Sequence, residues 1–179
     1  TLSHVCILEI ASYHKLLAVA DIAVIPSPDL AQKVTLTNNV IAASRMLDIE
    51  KPKVAIIAAT EQMLPGMQAC VDAAIIAKMS DRGQIRNAIV DGPLAVDVAM
   101  DKEAAAVKKL ASPVNGDADG LVFPNIESAN AFFKAATKLA GAELAGIVLG
   151  AKAPCVLTSR GDTTLTKFYS IAFAALMAK

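Results

Sequence analysis

Residues 150–167 read Gly-Ala-Lys-Ala-Pro-Cys-Val-Leu-Thr-Ser-Arg-Gly-Asp-Thr-Thr-Leu-Thr-Lys. The apolar run Ala145-Gly146-Ile147-Val148-Leu149 leads into Gly150, and a second run, Pro154-Cys155-Val156-Leu157, leads into Thr158-Ser159-Arg160. Beyond Gly161, the residues Leu165, Phe168, Tyr169, Ala172, Ala175 and Leu176 recur at helical spacing, which predicts a helix with one apolar stripe. Asp162, Thr163 and Thr164 precede that stripe and are natural cap residues. The pattern therefore puts Ser159 and Arg160 where a strand ends and a helix begins. Free N–H groups and the positive end of the helix dipole favour an anion at such a place. Arg160 adds a planar fork of donors matched to phosphate, and Ser159 adds a hydroxyl. One reading is a phosphate or acyl-phosphate subsite; the other is a capped helix with a surface arginine.

Working outward, strand and helix signals alternate. Val5 to Ile10 and Leu16 to Ile25 read as two strands joined by the short turn Ala11-Ser12-Tyr13-His14, a hairpin. Ser27-Pro28 reads as a helix start, and the helix carries Leu36, Val40, Ala43 and Leu47 on one face before Pro52. Val54 to Ala59 is an apolar run without alternation, as in a strand buried on both faces. Gly66 to Met79 reads as a second helix, Ala88 to Val90 as a strand ending at Asp91-Gly92-Pro93-Leu94, and Asp101 to Leu110 as a helix capped by Asp101. Leu121-Val122-Phe123 is a strand ending at Pro124-Asn125, followed by a helix from Glu127 to Ala140 that Gly141 stops. This order predicts an α/β fold with a mostly parallel sheet and flanking helices. Ligands of open α/β sheets bind beyond the carboxyl ends of strands. The loops at Asp91-Gly92-Pro93, Pro124-Asn125 and Ser159-Arg160 are thus candidates to face one cleft.

The 179 residues balance 17 basic against 17 acidic side chains, which excludes the electrostatic footprint of a nucleic-acid partner. No run reaches the ~18–20 uninterrupted apolar residues of a membrane span. Apolar residues make up 55% of the chain and aromatic ones 4%, consistent with strands covered by Ala-rich helices. Cys6, Cys70 and Cys155 lack metal-type spacing, and each lies in an apolar run. They read as small hydrophobes in a protein of the reducing cytoplasm. Asp97 and Asp101 are spaced i, i+4 near Asp91, which allows a divalent-metal reading. Ordinary turn and cap chemistry accounts for them better, so no metal is assigned. His4 and His14 read as structural or exposed. Gly-x-Ser-x-Gly, Gly-x-Gly-x-x-Gly and P-loop motifs are absent.

Five phrases in order resemble the phosphate acetyl/butyryltransferase family, closest to its butyryltransferase branch. They are Lys78-Met79-Ser80-Asp81-Arg82-Gly83-Gln84-Ile85, Asp91-Gly92-Pro93-Leu94-Ala95, Pro124-Asn125-Ile126-Glu127, Gly150-Ala151-Lys152-Ala153-Pro154 and Val156-Leu157-Thr158-Ser159-Arg160; Ser3-His4-Val5 also fits. The resemblance implies an acyltransferase that moves a short acyl group such as butyryl or acetyl between coenzyme A and inorganic phosphate. Coenzyme A is then a substrate, no cofactor is needed, and assembly as a homodimer or higher homo-oligomer is expected. It implies two α/β lobes similar to isocitrate/isopropylmalate dehydrogenase. On that scheme, residues 1–145 are the middle lobe. Residues 146–179 are a strand-turn-helix returning to the other lobe, whose amino-terminal segment precedes Thr1 in the family.

By the same resemblance, Ser159 and Arg160 are the cleft's Ser-Arg pair, with Arg160 on phosphate and Ser159 donating to phosphate or to the thioester oxygen. Asn125, Asn130, Asp91, Gly150 and Lys152 fall in the substrate-binding phrases. The acetyltransferase branch has an aspartate seven residues beyond the serine, proposed to take the thiol proton; here that position is Thr166. Asp162 is the nearest carboxylate, and either serves instead or caps the helix. A chain of this extent is expected to expose the apolar face of its last helix and to be weakly active or inactive alone. The alternative to an enzyme is a non-catalytic fragment that binds acyl-CoA or phosphate, or that dimerises. Metal-dependent oxidative decarboxylation on the same fold is weakened by the lack of a clear nicotinamide site.

Overall fold

The computed structural model of the chain describes residues 1–178. Strands β1 (Ser3–Glu9) and β2 (Leu16–Ala20) form the expected hairpin, with Val5 opposite Ala20 and Glu9 opposite Leu16. The second strand stops short of the expected Ile25, because the Asp21 carboxylate folds residues 21–25 into a loop by accepting from the amides of Ala23, Val24 and Ile25. Helix α1 (Leu30–Arg45) begins later than Ser27-Pro28, because Asp29 and Gln32 close a reciprocal capping box at its start. Strand β3 (Lys53–Ile57) is followed by α2 (Gln68–Asp81), β4 (Ile89–Leu94), α3 (Val96–Met100) and α4 (Lys102–Val107). Then come β5 (Gly120–Val122), α5 (Ile126–Leu139), β6 (Glu143–Leu149), β7 (Cys155–Val156) and α6 (Thr164–Met177). No described helix is long and apolar enough to cross a membrane.

All seven strands join one sheet in the order β4-β3-β5-β2-β1-β6-β7. The block β4-β3-β5-β2 is parallel, whereas β1 is antiparallel to both its neighbours and β7 to β6. The sheet is therefore mixed rather than mostly parallel. Short links force this: a few residues between consecutive paired strands permit only an antiparallel return, and parallel pairing needs a crossover. Side chains of β1, β2 and β3 alternate between two cores. Cys6, Leu8, Leu17, Val19, Ala55 and Ile57 meet α3, α4 and α5 on one face. Val5, Ile7, Ala18, Val54 and Ile56 meet α1, α2 and α6 on the other.

Three local expectations change for clear reasons. Asp91-Gly92-Pro93 lies inside β4 rather than in a loop. Proline is tolerated there because β4 is an edge strand, and Gly92 fits because a Cβ would stand 2.8 Å from the Ile56 carbonyl oxygen. Asp97 and Asp101 share no helix face: Asp97 sits in α3 and pairs with Lys108 at 2.9 Å, while Asp101 caps α4. Cys6 and Cys70 are buried, but Cys155 is exposed on the short edge strand β7.

Helix α6 packs on β6 through Thr166, Ser170 and Phe173. The hydroxyls can be buried because they are satisfied. Ser170 Oγ accepts from the Gly146 amide at 3.0 Å and donates to the Thr166 carbonyl at 2.8 Å. The apolar stripe read from the sequence faces outward. Phe168 is 64% exposed, and Leu165, Tyr169 and Leu176 are also exposed.

Candidate active site

Strand β6 ends at Leu149, just before Gly150, whose φ is +98° and whose Cβ, were there one, would collide with the Thr1 carbonyl. Glycine is needed there so that the backbone can pass close to the start of β1. Lys152 follows in an exposed connection, and β7 then runs antiparallel to β6, with Val156 opposite Ile147. Past β7, residues 157–163 cross the face of the sheet that α5 covers, since Leu157, Thr158 and Ser159 line a cavity with Asn130, Phe133 and Lys134 of α5.

The Ser159 turn is closed by its own polar groups. Asp162 Oδ2 accepts from the Ser159 amide at 2.6 Å, and the Asp162 amide donates to the Ser159 carbonyl at 3.1 Å. The α6 cap is Thr163, whose Oγ1 accepts from the Thr166 amide at 3.1 Å. Asp162 therefore braces the turn instead of capping the helix. The Ser159 amide is engaged by that carboxylate and is not a free helix-end donor. Arg160 is exposed beside it. What this turn offers to solvent is thus the guanidinium and the hydroxyl rather than a free helix-end amide at Ser159.

Two adjoining cavities of about 270 and 290 Å³ share the walls Phe133, Lys134, Leu144, Ser159 and Asp162. The structure brings Ser159, Asp162 and Asn130 together at the first. Asn130 is oriented by its Nδ2, which donates to the Ile22 carbonyl at 3.0 Å. Asn125 lies one turn and a residue earlier and caps α5, its Oδ1 accepting from the Ser128 amide at 2.9 Å and from the Ser128 hydroxyl at 2.8 Å. Asp91 is not part of this assembly. Strands β4 and β7 are opposite edges of the sheet, roughly 29 Å apart at ~4.8 Å per strand. The expected convergence of three loops on one cleft therefore does not form within this chain.

Two residues that were not among the expected site residues also border the cavity. His4, 4% exposed, lines the first cavity with its Nε2 3.4 Å from the Leu157 carbonyl oxygen. Burial lowers the His4 pKa, opposed by the Leu157 carbonyl and by the charges of Asp21 and Asp162. Asp21, 2% exposed, organises the loop that presents Ile22 and Ala23 to the same cavity. His4 belongs to the family-like phrase Ser3-His4-Val5, whereas Asp21 has no motif. That both border this cavity becomes visible only when β1, β2 and β6 are laid side by side.

A family described as phosphate acetyl/butaryl transferase matches residues 1–175. The chain belongs to this family. Among phosphate acetyl/butaryl transferase relatives, it is 44% identical over 178 residues to a phosphate butyryltransferase of Clostridium acetobutylicum, covering 99% of this chain and 59% of that protein. It is also 44% identical over 178 residues to a phosphate acetyltransferase of Thermotoga maritima, covering 99% of this chain and 60% of the relative. The structure of a branched-chain phosphotransacylase from Enterococcus faecalis superposes with a TM-score of 0.90 at 34% identity, covering 99% of this chain and 63% of that one. The chain thus spans about three fifths of the length of these phosphate acetyl/butaryl transferase relatives. The α/β fold with its mixed sheet is that of a phosphotransacylase.

Proposed function

We propose that the protein to which these residues belong transfers a short acyl group between coenzyme A and inorganic phosphate: acyl-CoA plus phosphate gives acyl phosphate plus CoA. Butyryl and acetyl are the candidate groups. The observation that carries this reading is the Ser159 turn, braced by Asp162 and set against Asn130 at a cavity, in a chain of this family. In the forward direction a phosphate oxygen attacks the thioester carbonyl, a tetrahedral oxyanion forms, and the C–S bond breaks to release CoA. Arg160 holds phosphate and offsets charge as the tetrahedral centre forms, and Ser159 donates to phosphate or to the thioester oxygen. Asp162 commits one oxygen to the Ser159 amide and keeps the other for the thiol proton of the reverse reaction. Holding both substrates in line supplies much of the rate. Gly150, Lys152 and Asn125 are assigned to substrate binding from the family phrases they belong to; Asp91, also in such a phrase, would have to act away from the Ser159 turn, at the opposite edge of the sheet.

The same reading gives the complete protein two lobes of the isocitrate/isopropylmalate dehydrogenase type. Residues 1–145 would form the middle lobe, and residues 146–179 would associate with the other. The outward stripe of α6 supports that division, because Phe168 and Ile171 are 64% and 60% exposed. A surface this apolar favours a protein partner, either the second lobe or another copy in a homo-oligomer. The stripe also favours a second reading, in which residues 1–179 alone serve as a binding or dimerisation unit. The test is butyryl-CoA formation from butyryl phosphate by the full-length protein, its Ser159→Ala and Arg160→Ala variants, and residues 1–179 alone. Loss of about 100-fold in kcat on removing one transition-state donor is expected, as is little turnover by residues 1–179. Variants as active as the parent would overturn the assignment of the turn.

A further inference from the structure

Between the end of β7 at Val156 and the α6 cap at Thr163, the chain has few attachments to the body of the protein. The described hydrogen bonds that Ser159, Gly161 and Asp162 make run within their own turn. Among the described residues, the hydrogen bond that ties this segment to the sheet is the one from His4 Nε2 to the Leu157 carbonyl, 3.4 Å long and across 153 residues of sequence. Leu157 lies two positions before Ser159.

The seat of the imidazole is built by its surroundings. His4 shares a face of β1 with Cys6 and Leu8 and lies over Gly146 of β6, where a Cβ would stand 2.7 Å from Cε1 and 3.0 Å from Nε2. Any side chain at 146 would displace the ring. A carbonyl oxygen only accepts, so Nε2 carries the proton and Nδ1 the lone pair. Nδ1 is buried and has no hydrogen-bond partner among the described residues. Burial also disfavours the charged ring. One neutral tautomer is selected, with its donor aimed at Leu157.

We propose that His4 is the positioning residue of the Ser159 turn, holding the Leu157 carbonyl to the sheet and so fixing Ser159 at the cavity that Asn130 borders, with Arg160 exposed beside it. Its effect on catalysis rests on the acyl-transfer reading; its effect on the turn does not. His4→Leu keeps bulk over Gly146 and removes the donor, while His4→Gln keeps an N–H donor of similar reach.

In the full-length protein, amide hydrogen exchange over residues 157–162 is expected to quicken about 5- to 10-fold in His4→Leu. It should return towards the parent rate in His4→Gln, with exchange in β1 and β6 unchanged. The kcat for butyryl transfer should follow the same order while KM for CoA stays near the parent value. Unchanged exchange over 157–162 in a folded His4→Leu variant would refute the proposal. So would a loss that Gln fails to restore. Nitrogen NMR of the unsubstituted protein is a further arm that needs no variant. A neutral ring protonated at Nε2 near pH 7 supports the proposal, and a charged or Nδ1-protonated ring overturns it. If the unsubstituted full-length protein shows no acyl transfer, the acyl-transfer reading falls and the exchange and NMR arms still decide the role of His4.

Discussion

Asp21 offers a graded test of how the site is held. It follows β2 and is 2% exposed. Its Oδ1 accepts from the amides of Ala23 at 2.8 Å and Val24 at 3.0 Å, and its Oδ2 from the amide of Ile25 at 3.2 Å. The same loop supplies the Ile22 carbonyl that receives the Asn130 side chain at 3.0 Å. Asp21→Asn keeps one oxygen for Ala23 and Val24, but sets an amide NH2 against the Ile25 N–H. One charge-assisted bond is lost and its donor is stranded, which costs about 1.5–3 kcal/mol. Asp21→Ala removes both acceptor oxygens and with them all three bonds. Allowing for relaxation and water entry, the cost should be about 3–5 kcal/mol, a large share of the ~5–15 kcal/mol that holds a typical domain together. Urea unfolding of the two variants, with ΔΔG taken from the midpoint at unchanged slope, measures both. If Asn proves as costly as Ala, or if both lie within about 0.5 kcal/mol of the parent, the carboxylate does not organise this loop.

Gly146→Ala should cost about 1–3 kcal/mol, because its methyl would stand 2.7 Å from His4 Cε1. It should also break the 3.4 Å contact to Leu157, which denaturant unfolding and the His4 nitrogen signals will report. Lys33 and Asp72 form a buried pair between α1 and α2 at 2.7 Å, with side chains 6% and 5% exposed. Asp72→Ala should therefore destabilise by about 3–5 kcal/mol, and the double variant Lys33→Met/Asp72→Leu should recover most of that loss in the same unfolding assay. Acid should weaken the fold through Asp117. Burial by itself would raise that carboxyl, but hydrogen bonds from Lys53, His14 and Lys15 outweigh burial and hold it well below the usual carboxylate range. A lowered folded pKa gives stability that is complete above the unfolded value of about 4 and lost as pH falls below it. Asp117→Asn should flatten the fall in unfolding free energy measured from pH 4 to pH 2.

Local chemistry carried much of the fold in the sequence. The hairpin of β1 and β2, the cap of Asp101 on α4, and the α5 helix opening at Asn125 all depend on residues within a few positions of one another. The family phrases, including Val156 to Arg160, likewise lie in unbroken stretches. Near neighbours set periodicity, capping and turn length, and these can be read along the chain.

What tertiary structure alone decided lies between residues far apart in sequence. The order of the strands made the sheet mixed and put Asp91 at the edge opposite β7. The exposed apolar stripe of α6 was expected, but which hydroxyls sit beneath it was not: Ser170 Oγ accepts from the Gly146 amide of β6 and donates to the Thr166 carbonyl, and the Thr166 hydroxyl pairs with that of Thr163. His4 meets Leu157 across 153 positions, and Asn130 meets Ile22 across 108. No period or motif encodes such pairs. They arise when side chains from different strands and helices fill one interior, where each buried polar atom needs a partner that only the folded chain can bring within reach.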